Sequence, residues 1–427
     1  MKHRLRTVDL VMLVISLVIG MGIFRAPATV AASSGSELIF YLAWVAGGVI
    51  ALCGGLTFAE IGRRLPVTGA YYRVFARAYH PLLAFGVNSI IVVSNAASAA
   101  GVAIIGAEYV TRVLPDLPVL PLACVFIVLL YLVNLAGLKT SVTMQNVLIG
   151  IKLVLLACII AAPFLVSPLV APTDAPAAVP ALINPLSAFG TALIAVAFTY
   201  GGYQSTINFG GDASSDGKQV SRAIIIGVVS ITALYLAATW AYVQVLGFET
   251  LGSSSAIASM VMEHLTGPVG TSLVSVALAI SVFGYVNVAM LTNPRVITAM
   301  AEDGVLPKRM AMSNSSARGV NAVTLSVFTA LSIVCVVFGE SFEKILNYTI
   351  FLDCIGMATA AGALFLLRDA EPLSLSSRIL AAAFIASYIF IAGSIFRDDP
   401  AAGLYGVGLL ALMIGAYWMV RQLSRST

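Results

Sequence analysis

The chain contains apolar runs long enough to cross a lipid bilayer, and these runs follow one another along nearly its whole length. A membrane-spanning helix needs about 20 apolar residues to cross a hydrocarbon core of about 30 Å. Runs of that length occupy 8–33, 37–62, 82–110, 119–138, 143–166, 187–209, 219–247, 269–299, 320–338, 345–367, 378–397 and 401–421. The pattern predicts an all-α integral membrane protein with twelve transmembrane helices.

The composition excludes a soluble protein. Hydrophobic residues make up 60% of the chain and charged residues only 10%, whereas a soluble domain has about 25% charged residues. The net charge of +4 is too small to indicate a nucleic-acid partner. The five cysteines all lie inside apolar runs without a C-x-x-C pair, so we expect them to pack as small hydrophobic side chains.

Lysines and arginines are distributed unequally between the two sides of the predicted bundle. Eighteen of them lie in one set of loops and ends, and only Arg112, Lys344 and Arg397 lie in the other. Because positive charge accumulates on the cytoplasmic side, both termini are predicted to be cytoplasmic, in the cell (inner) membrane. The first span lacks a small-residue cleavage site, which favours a retained helix over a signal peptide.

Three connecting segments have recognisable patterns. Residues 69–80 place aromatic side chains on one face and arginines on another, which predicts a cytoplasmic interfacial helix. Residues 253–265 predict a short helix on the outer face, and the proline-rich residues 167–185 predict an extended outer loop.

Two spans contain glycine motifs that favour a break in the helix. The first contains Gly20-Met21-Gly22-Ile23, and the sixth contains Gly201-Gly202 between aromatic residues. Glycine pairs also serve close helix packing, and this alternative stands for either motif alone. However, spans one and six each open a block of five spans. Interruptions at such corresponding places indicate a transporter site between two inverted repeats.

The broken ends suit the charged groups of an α-amino acid. A half-helix that starts at Gly20–Ile23 offers N–H groups and a positive dipole end to a carboxylate. Carbonyl groups freed around Phe198–Gly201 suit an ammonium group. The candidate substrate-binding residues are Gly20, Met21, Gly22, Ile23, Phe198, Thr199, Tyr200, Gly201 and Tyr203.

Lys152 lies nine residues into span five, counted from the start of that span at residue 143, which is roughly 13 Å deep. A lysine at membrane depth costs about 2.5–3.5 kcal/mol on insertion scales, so it is a functional candidate. It would exchange a proton or bind the carbonyl groups freed in span one. The alternative is a shifted span boundary that lets the amine reach the interface.

Other polar residues within the spans are weaker candidates. We expect Arg25 near the outer mouth, in a gate ion pair or in contact with substrate. Asp353, near the middle of span ten, would carry a proton or pair with a basic group. Asn95 and Asn287, together with serines of span three, are candidates for contact with the substrate side chain.

Four motifs in order resemble the amino acid–polyamine–organocation (APC) superfamily, close to its L-type amino-acid transporter-like branch. They are Gly20-Met21-Gly22-Ile23-Phe24, Leu56-Thr57-Phe58-Ala59-Glu60, Phe198-Thr199-Tyr200-Gly201-Gly202-Tyr203 and Met300-Ala301-Glu302-Asp303-Gly304-Val305-Leu306-Pro307. Met21 departs from the pattern, because a small residue is usual between the two glycines.

The resemblance implies a LeuT-like fold and transport by alternating access. It implies a first inverted repeat over 1–166, an outer loop over 167–185, a second repeat over 186–368 and two extra spans over 369–427. Phe198 would be an aromatic gate, and Tyr203 would line the pocket. Lys152 would stand where sodium-coupled relatives hold a sodium ion, which implies sodium-independent transport, by exchange or with protons.

Other functional classes fit the sequence less well. His3, His80 and His264 all lie outside the spans, which argues against an intramembrane metal or haem enzyme, and we expect no cofactor. A membrane channel would need polar groups along a path, whereas here they gather at two breaks. Neither break carries an acidic residue, so neutral L-amino acids are favoured over a cationic amino-acid or polyamine antiport. The oligomeric state is not specified.

Overall fold

A computed structural model describes residues 7–65, 70–111, 114–136, 138–169, 184–208, 217–254, 256–311, 321–339, 342–367 and 372–425. In these ranges the regular structure is helical, with no strand. The α-helices are α1 (Thr7–Val18), α2 (Gly22–Ser34), α3 (Glu37–Arg64), α4 (Ala70–Ala78), α5 (Pro81–Thr111), α6 (Val119–Ala136), α7 (Leu138–Ala161), α8 (Pro185–Tyr200), α9 (Gly217–Leu246), α10 (Phe248–Ser253), α11 (Ile257–Thr266), α12 (Pro268–Glu302), α13 (Ala322–Gly339), α14 (Phe342–Ala363), α15 (Leu375–Asp398) and α16 (Pro400–Arg425).

Several of these helices are long and apolar enough to cross a membrane. Among the described residues, six meet this condition by length and composition, in α3, α5, α9, α12, α13 and α15. Shorter apolar helical stretches lie within α6, α8 and α16, and another runs from Gly150 in α7 to Phe164 in the 3₁₀ turn that follows. The all-α membrane class predicted from the sequence is confirmed at this level.

Polar side chains at the helix starts explain where several helices begin. Ser36 accepts a hydrogen bond from the backbone N–H of Ile39 at the start of α3. Asn184 caps α8 in the same way, immediately before Pro185 in the first turn. Such caps satisfy N–H groups that have no partner within the helix.

Helix α5 lies at the centre of the described bundle. It packs against α6, α12, α13, α14 and α16. Small residues such as Ala96, Ala99, Ala100 and Ala103 are buried along it, and small side chains allow neighbouring helices to approach closely. The helix is therefore the common packing surface for elements of both halves of the chain.

The segment predicted to form an interfacial helix is helical, as α4, and contacts the bundle. The Tyr79 hydroxyl donates to the carbonyl of Thr359 in α14 at 2.8 Å, and Arg73 lies 3.5 Å from Glu302 at the end of α12. Burial raises the pKa of the Tyr79 phenol, so this group remains a neutral donor. The helix thus connects the loop after α3 to the second half of the chain.

The segment predicted to form a short outer helix contains helix α11, which starts four residues later than expected. His264 on this helix contacts the carbonyl of Ser167 after α7, with Nε2 and O 2.6 Å apart. Most of the proline-rich segment predicted as an outer loop lies outside the described residues, so that prediction stays as it was.

Candidate functional site

The first transmembrane run is interrupted where the sequence predicts it. Helix α1 ends at Val18, residues 19–21 are not helical, and α2 begins at Gly22. Met21 occupies the N-cap position, and no side chain caps this start. The first N–H groups of α2 therefore have no side-chain acceptor. They lie at the positive end of the helix dipole, which favours an anionic group.

The sixth run is interrupted in a different way. Helix α8 ends at Tyr200, and after a two-residue turn the chain continues as a 3₁₀ segment, Tyr203–Asn208. Gly202 has φ of +119°, a conformation that side-chain-bearing residues rarely adopt. Its N–H donates to the Gln204 side chain at 2.6 Å. The Gly201-Gly202 pair thus turns the backbone out of the helix.

The two interruptions lie against each other. Helix α2 packs extensively on α8. A Cβ atom added to Gly22 would lie 2.7 Å from Thr199 Oγ1 and 2.8 Å from Thr199 Cα. The start of α2 and the last turn of α8 therefore approach so closely that only glycine fits at the contact.

A tyrosine from α9 joins the two broken helices. The Tyr235 hydroxyl lies 3.1 Å from the carbonyl oxygen of Val18, the last residue of α1, and 3.4 Å from that of Thr199. Tyr235 is fully buried. One hydroxyl is thus shared between a carbonyl from each interruption.

An aromatic cluster holds this tyrosine in place. The rings of Trp44, Tyr200 and Tyr235 contact one another, with centroids 5.1–6.1 Å apart. The Tyr200 hydroxyl donates to the Trp44 carbonyl at 3.0 Å. Tyr200, predicted at the substrate site, is therefore bonded to α3 through its hydroxyl group.

Tyr203 belongs to a second aromatic cluster, at the start of the 3₁₀ segment. Its ring packs with Phe58 of α3 and Phe384 of α15. Its hydroxyl oxygen lies 2.5 Å from that of Tyr388. The backbone that follows the second interruption is therefore tied to α15, a helix beyond the ten spans of the two predicted repeats.

The other residues predicted at the two interruptions differ in burial. Met21, Ile23 and Thr199 are buried, whereas Gly20, Phe198 and Gly201 are half-buried. The structure therefore brings Gly22 and Thr199 together and leaves Gly20 and Phe198 partly accessible beside them.

Lys152 lies inside the protein. Its side chain is only 3% exposed, and α7 packs against α9 and α12. The alternative in which its amine reaches the membrane interface does not match this burial. A buried lysine of this kind needs acceptor groups from the protein.

The weaker candidates lie at helix contacts of their own. The Asn95 amide donates to Asn293 at 2.8 Å, and Asn287 accepts from Asn134 at 2.8 Å. These bonds join α12 to α5 and to α6. Arg25, expected near the outer mouth, is only 7% exposed.

Asp353 has a partner that the sequence alone did not reveal. Ser94 of α5 donates a hydrogen bond to its carboxylate.

In the part of the chain that the structure describes, no group of three or more His, Cys, Asp or Glu residues could hold a metal ion.

Sequence reasoning missed Tyr235, Trp44 and Tyr388. The available signal was weak in each case, a single aromatic residue within an apolar run. Tyr235 was identifiable only as a phenol that needs a hydrogen-bond partner when buried in a membrane span.

Comparison with known proteins identifies the family. A family model described as amino acid permease matches residues 5–403. The chain belongs to this family. The serine/threonine exchanger SteT of Bacillus subtilis is 29% identical to this permease over 418 residues, which cover 92% of this chain and 91% of SteT.

Two human relatives extend the comparison. The permease is 25% identical over 391 residues to the large neutral amino acids transporter small subunit 2, with 87% of this chain and 71% of the relative covered. It is 26% identical over 428 residues to the Asc-type amino acid transporter 1, with 94% and 79% covered.

The family assignment confirms the resemblance drawn from the four motifs. This permease is an amino-acid transporter of the L-type branch and an integral membrane protein, and it is not an enzyme.

Proposed function

We propose that this permease exchanges neutral L-amino acids across the cell membrane by alternating access, without sodium. The contact between the start of α2 and the end of α8, bridged by Tyr235, carries this proposal. The relatives named as a serine/threonine exchanger and a large neutral amino acid transporter support the same class of substrate.

The two helix ends suit the two charged groups of the substrate. The uncapped N–H groups of Gly22 and Ile23 bind the carboxylate, with help from the α2 dipole. Carbonyl groups at the end of α8 accept hydrogen bonds from the ammonium group. Phe198, half-buried in the last turn of α8, covers the bound substrate as a gate. A zwitterion held in this way crosses without carrying net charge.

A neutral side chain is favoured by the residues around the breaks. The segments Gly20–Ile23 and Phe198–Gln204 contain no acidic residue that could pair with a cationic side chain. Met21 also supplies a larger apolar side chain than is usual at its position in the superfamily, which favours small substrates.

Sodium independence follows from Lys152. Lys152 is buried, and its ammonium group acts as a fixed positive charge on α7, which packs against α9 and α12. Repulsion between like charges then disfavours a bound sodium ion.

The proposal includes a five-plus-five inverted repeat with both termini cytoplasmic. The repeats comprise residues 1–166 and 186–368, joined by the outer loop over 167–185 and followed by two spans over 369–427. The interruptions in the first and sixth predicted spans support this arrangement. A cysteine introduced at either terminus would then react with an impermeant reagent only from the cytoplasmic side.

Counterflow in proteoliposomes tests the transport proposal. Vesicles preloaded with unlabelled serine should accumulate labelled serine from outside, equally in sodium and potassium buffers, and empty vesicles should not. Competition by all twenty amino acids then defines the substrate class. Strong competition by lysine, arginine or putrescine alone would indicate a cationic antiporter, and uptake that does not saturate would indicate a channel.

A further inference from the structure

A carboxylate lies at a contact between both halves of the bundle. Asp353 is half-buried on α14, which packs against α5. Ser94 of α5 is fully buried, and its hydroxyl donates to Asp353 Oδ1. Asp353 thus keeps some accessible surface, while a fully buried hydroxyl holds one of its carboxylate oxygens.

The Ser94 hydroxyl has a choice of acceptors. Besides the carboxylate, its oxygen lies 3.2 Å from the carbonyl of Thr349, one turn earlier on α14. If Asp353 is ionised, the single hydroxyl proton is donated to the carboxylate. If Asp353 binds a proton, its O–H donates to Ser94 Oγ, and Ser94 turns its own proton to the Thr349 carbonyl. Each polar group keeps a partner in both states.

We propose that Asp353 is a proton-binding site through which this permease couples amino-acid transport to proton movement. A proton taken from the water on one side binds a carboxylate oxygen and is released to the water on the other side. An ionised carboxylate within a membrane span is costly without a cationic partner. A site that remains satisfied in both protonation states can gain and lose a proton at small structural cost.

The groups that face Asp353 are neutral at physiological pH. Tyr203, Tyr285 and Cys354 lie close enough to interact with it electrostatically. Three further phenols near α14 are bonded or stacked with other groups: Tyr79 just after α4, Tyr388 of α15 and Tyr405 of α16. Charged side chains on the helices packed against α14 include ion pairs within their own helices, Glu60 with Arg63 and Arg64 in α3 and Arg397 with Asp398 in α15. The change of charge is therefore concentrated on Asp353 itself.

Tyr203 connects this proton site to the substrate site. It begins the 3₁₀ segment directly after the two-residue turn that follows α8 and lies within electrostatic reach of Asp353. A change of charge at Asp353 therefore acts on the backbone that follows the second interruption. This coupling rests on the proposed function, because it assigns the interruption to the substrate.

The test compares labelled-serine uptake by proteoliposomes with and without an inward proton gradient. With about pH 5.5 outside and about pH 7.5 inside, wild-type uptake should rise roughly threefold or more, and a trapped pH dye should report acidification that depends on serine. Asp353→Asn should remove both responses. Asp116→Asn is the matched control, because Asp116 lies exposed in the loop after α5.

A second variant keeps the proposal testable if Asp353→Asn abolishes all transport. Ser94→Ala removes the donor to the ionised carboxylate, so the pH of half-maximal stimulation should move to a higher value. An unchanged pH profile would overturn the proposal.

Two other results would also overturn it. In the first, wild-type counterflow is active but its rate is the same with and without the proton gradient. The proposed exchange would then still hold. In the second, Asp353→Asn changes which amino acids compete and keeps the pH response, which would make Asp353 a selectivity residue. Failure of wild-type counterflow itself would instead contradict the proposed function.

Discussion

The hydroxyl group of Tyr235 lies 3.1 Å from the carbonyl oxygen of Val18, at the point where the first transmembrane helix breaks. The same hydroxyl lies 3.4 Å from the carbonyl of Thr199, in the last turn before the second break. Both carbonyls face a fully buried phenol. One side chain from a third helix therefore contacts both interruptions.

Replacing Tyr235 with phenylalanine should slow exchange without unfolding the protein. The ring keeps its contacts with Trp44 and Tyr200, but two buried carbonyl groups lose their shared donor. A lost hydrogen bond of this kind costs about 1–2 kcal/mol. If the substrate-bound state depends on it, initial counterflow rates should fall roughly tenfold.

Tyr405→Phe is the control for this substitution, because Tyr405 is exposed on α16. The melting temperatures of both variants in detergent should stay close to the wild-type value. Wild-type exchange by Tyr235→Phe would show that the bridge has no part in transport.

The helix breaks could be predicted from the sequence because glycine marks them directly. Gly20 and Gly22 occur in an apolar run, as do Gly201 and Gly202, and a glycine pair weakens a helix whatever surrounds it. The structure places a break at each pair. Helices α4 and α11 could also be predicted as helices, because their local sequence patterns are typical of short helices.

The partners of these elements could not be predicted. The sequence contains fifteen tyrosines, and nothing local distinguishes Tyr235 from the others. Its role depends on how α9 is rotated against α1 and α8. Likewise, the bond from Ser94 to Asp353 spans 259 positions in the chain, and only the packing of α5 on α14 brings the two together.

Gly22 and Gly20 should respond differently to alanine. A Cβ on Gly22 would meet Thr199 at 2.7–2.9 Å, whereas the nearest atom to a Cβ on Gly20 is Val18 O at 3.8 Å. Overpacking of this kind costs about 1–3 kcal/mol. The melting temperature of Gly22→Ala in detergent should therefore fall by several degrees, and that of Gly20→Ala should change little. Equal shifts would contradict the close contact of α2 with α8.

Lys152→Met should greatly reduce transport while the protein still inserts into membranes. Methionine keeps much of the buried volume and removes the ammonium group, so any effect reports the charge. We expect a fall of at least roughly tenfold in counterflow rate, corresponding to about 1.4 kcal/mol or more. Lys218→Met is the control, because Lys218 is exposed at the start of α9. Wild-type rates in reconstituted Lys152→Met would refute a functional role for the charge.

Substitutions of Tyr203 and Tyr388 should have non-additive effects on the melting temperature. Their hydroxyl oxygens lie 2.5 Å apart in a buried cluster, so phenylalanine at either position leaves the other hydroxyl without this partner. The loss of one partner from a buried hydroxyl pair costs about 1–3 kcal/mol, whereas removal of both partners can be nearly neutral. Each single variant should therefore lower the melting temperature more than the double variant does. Additive losses would show that the two hydroxyls are stabilised independently, by groups other than each other.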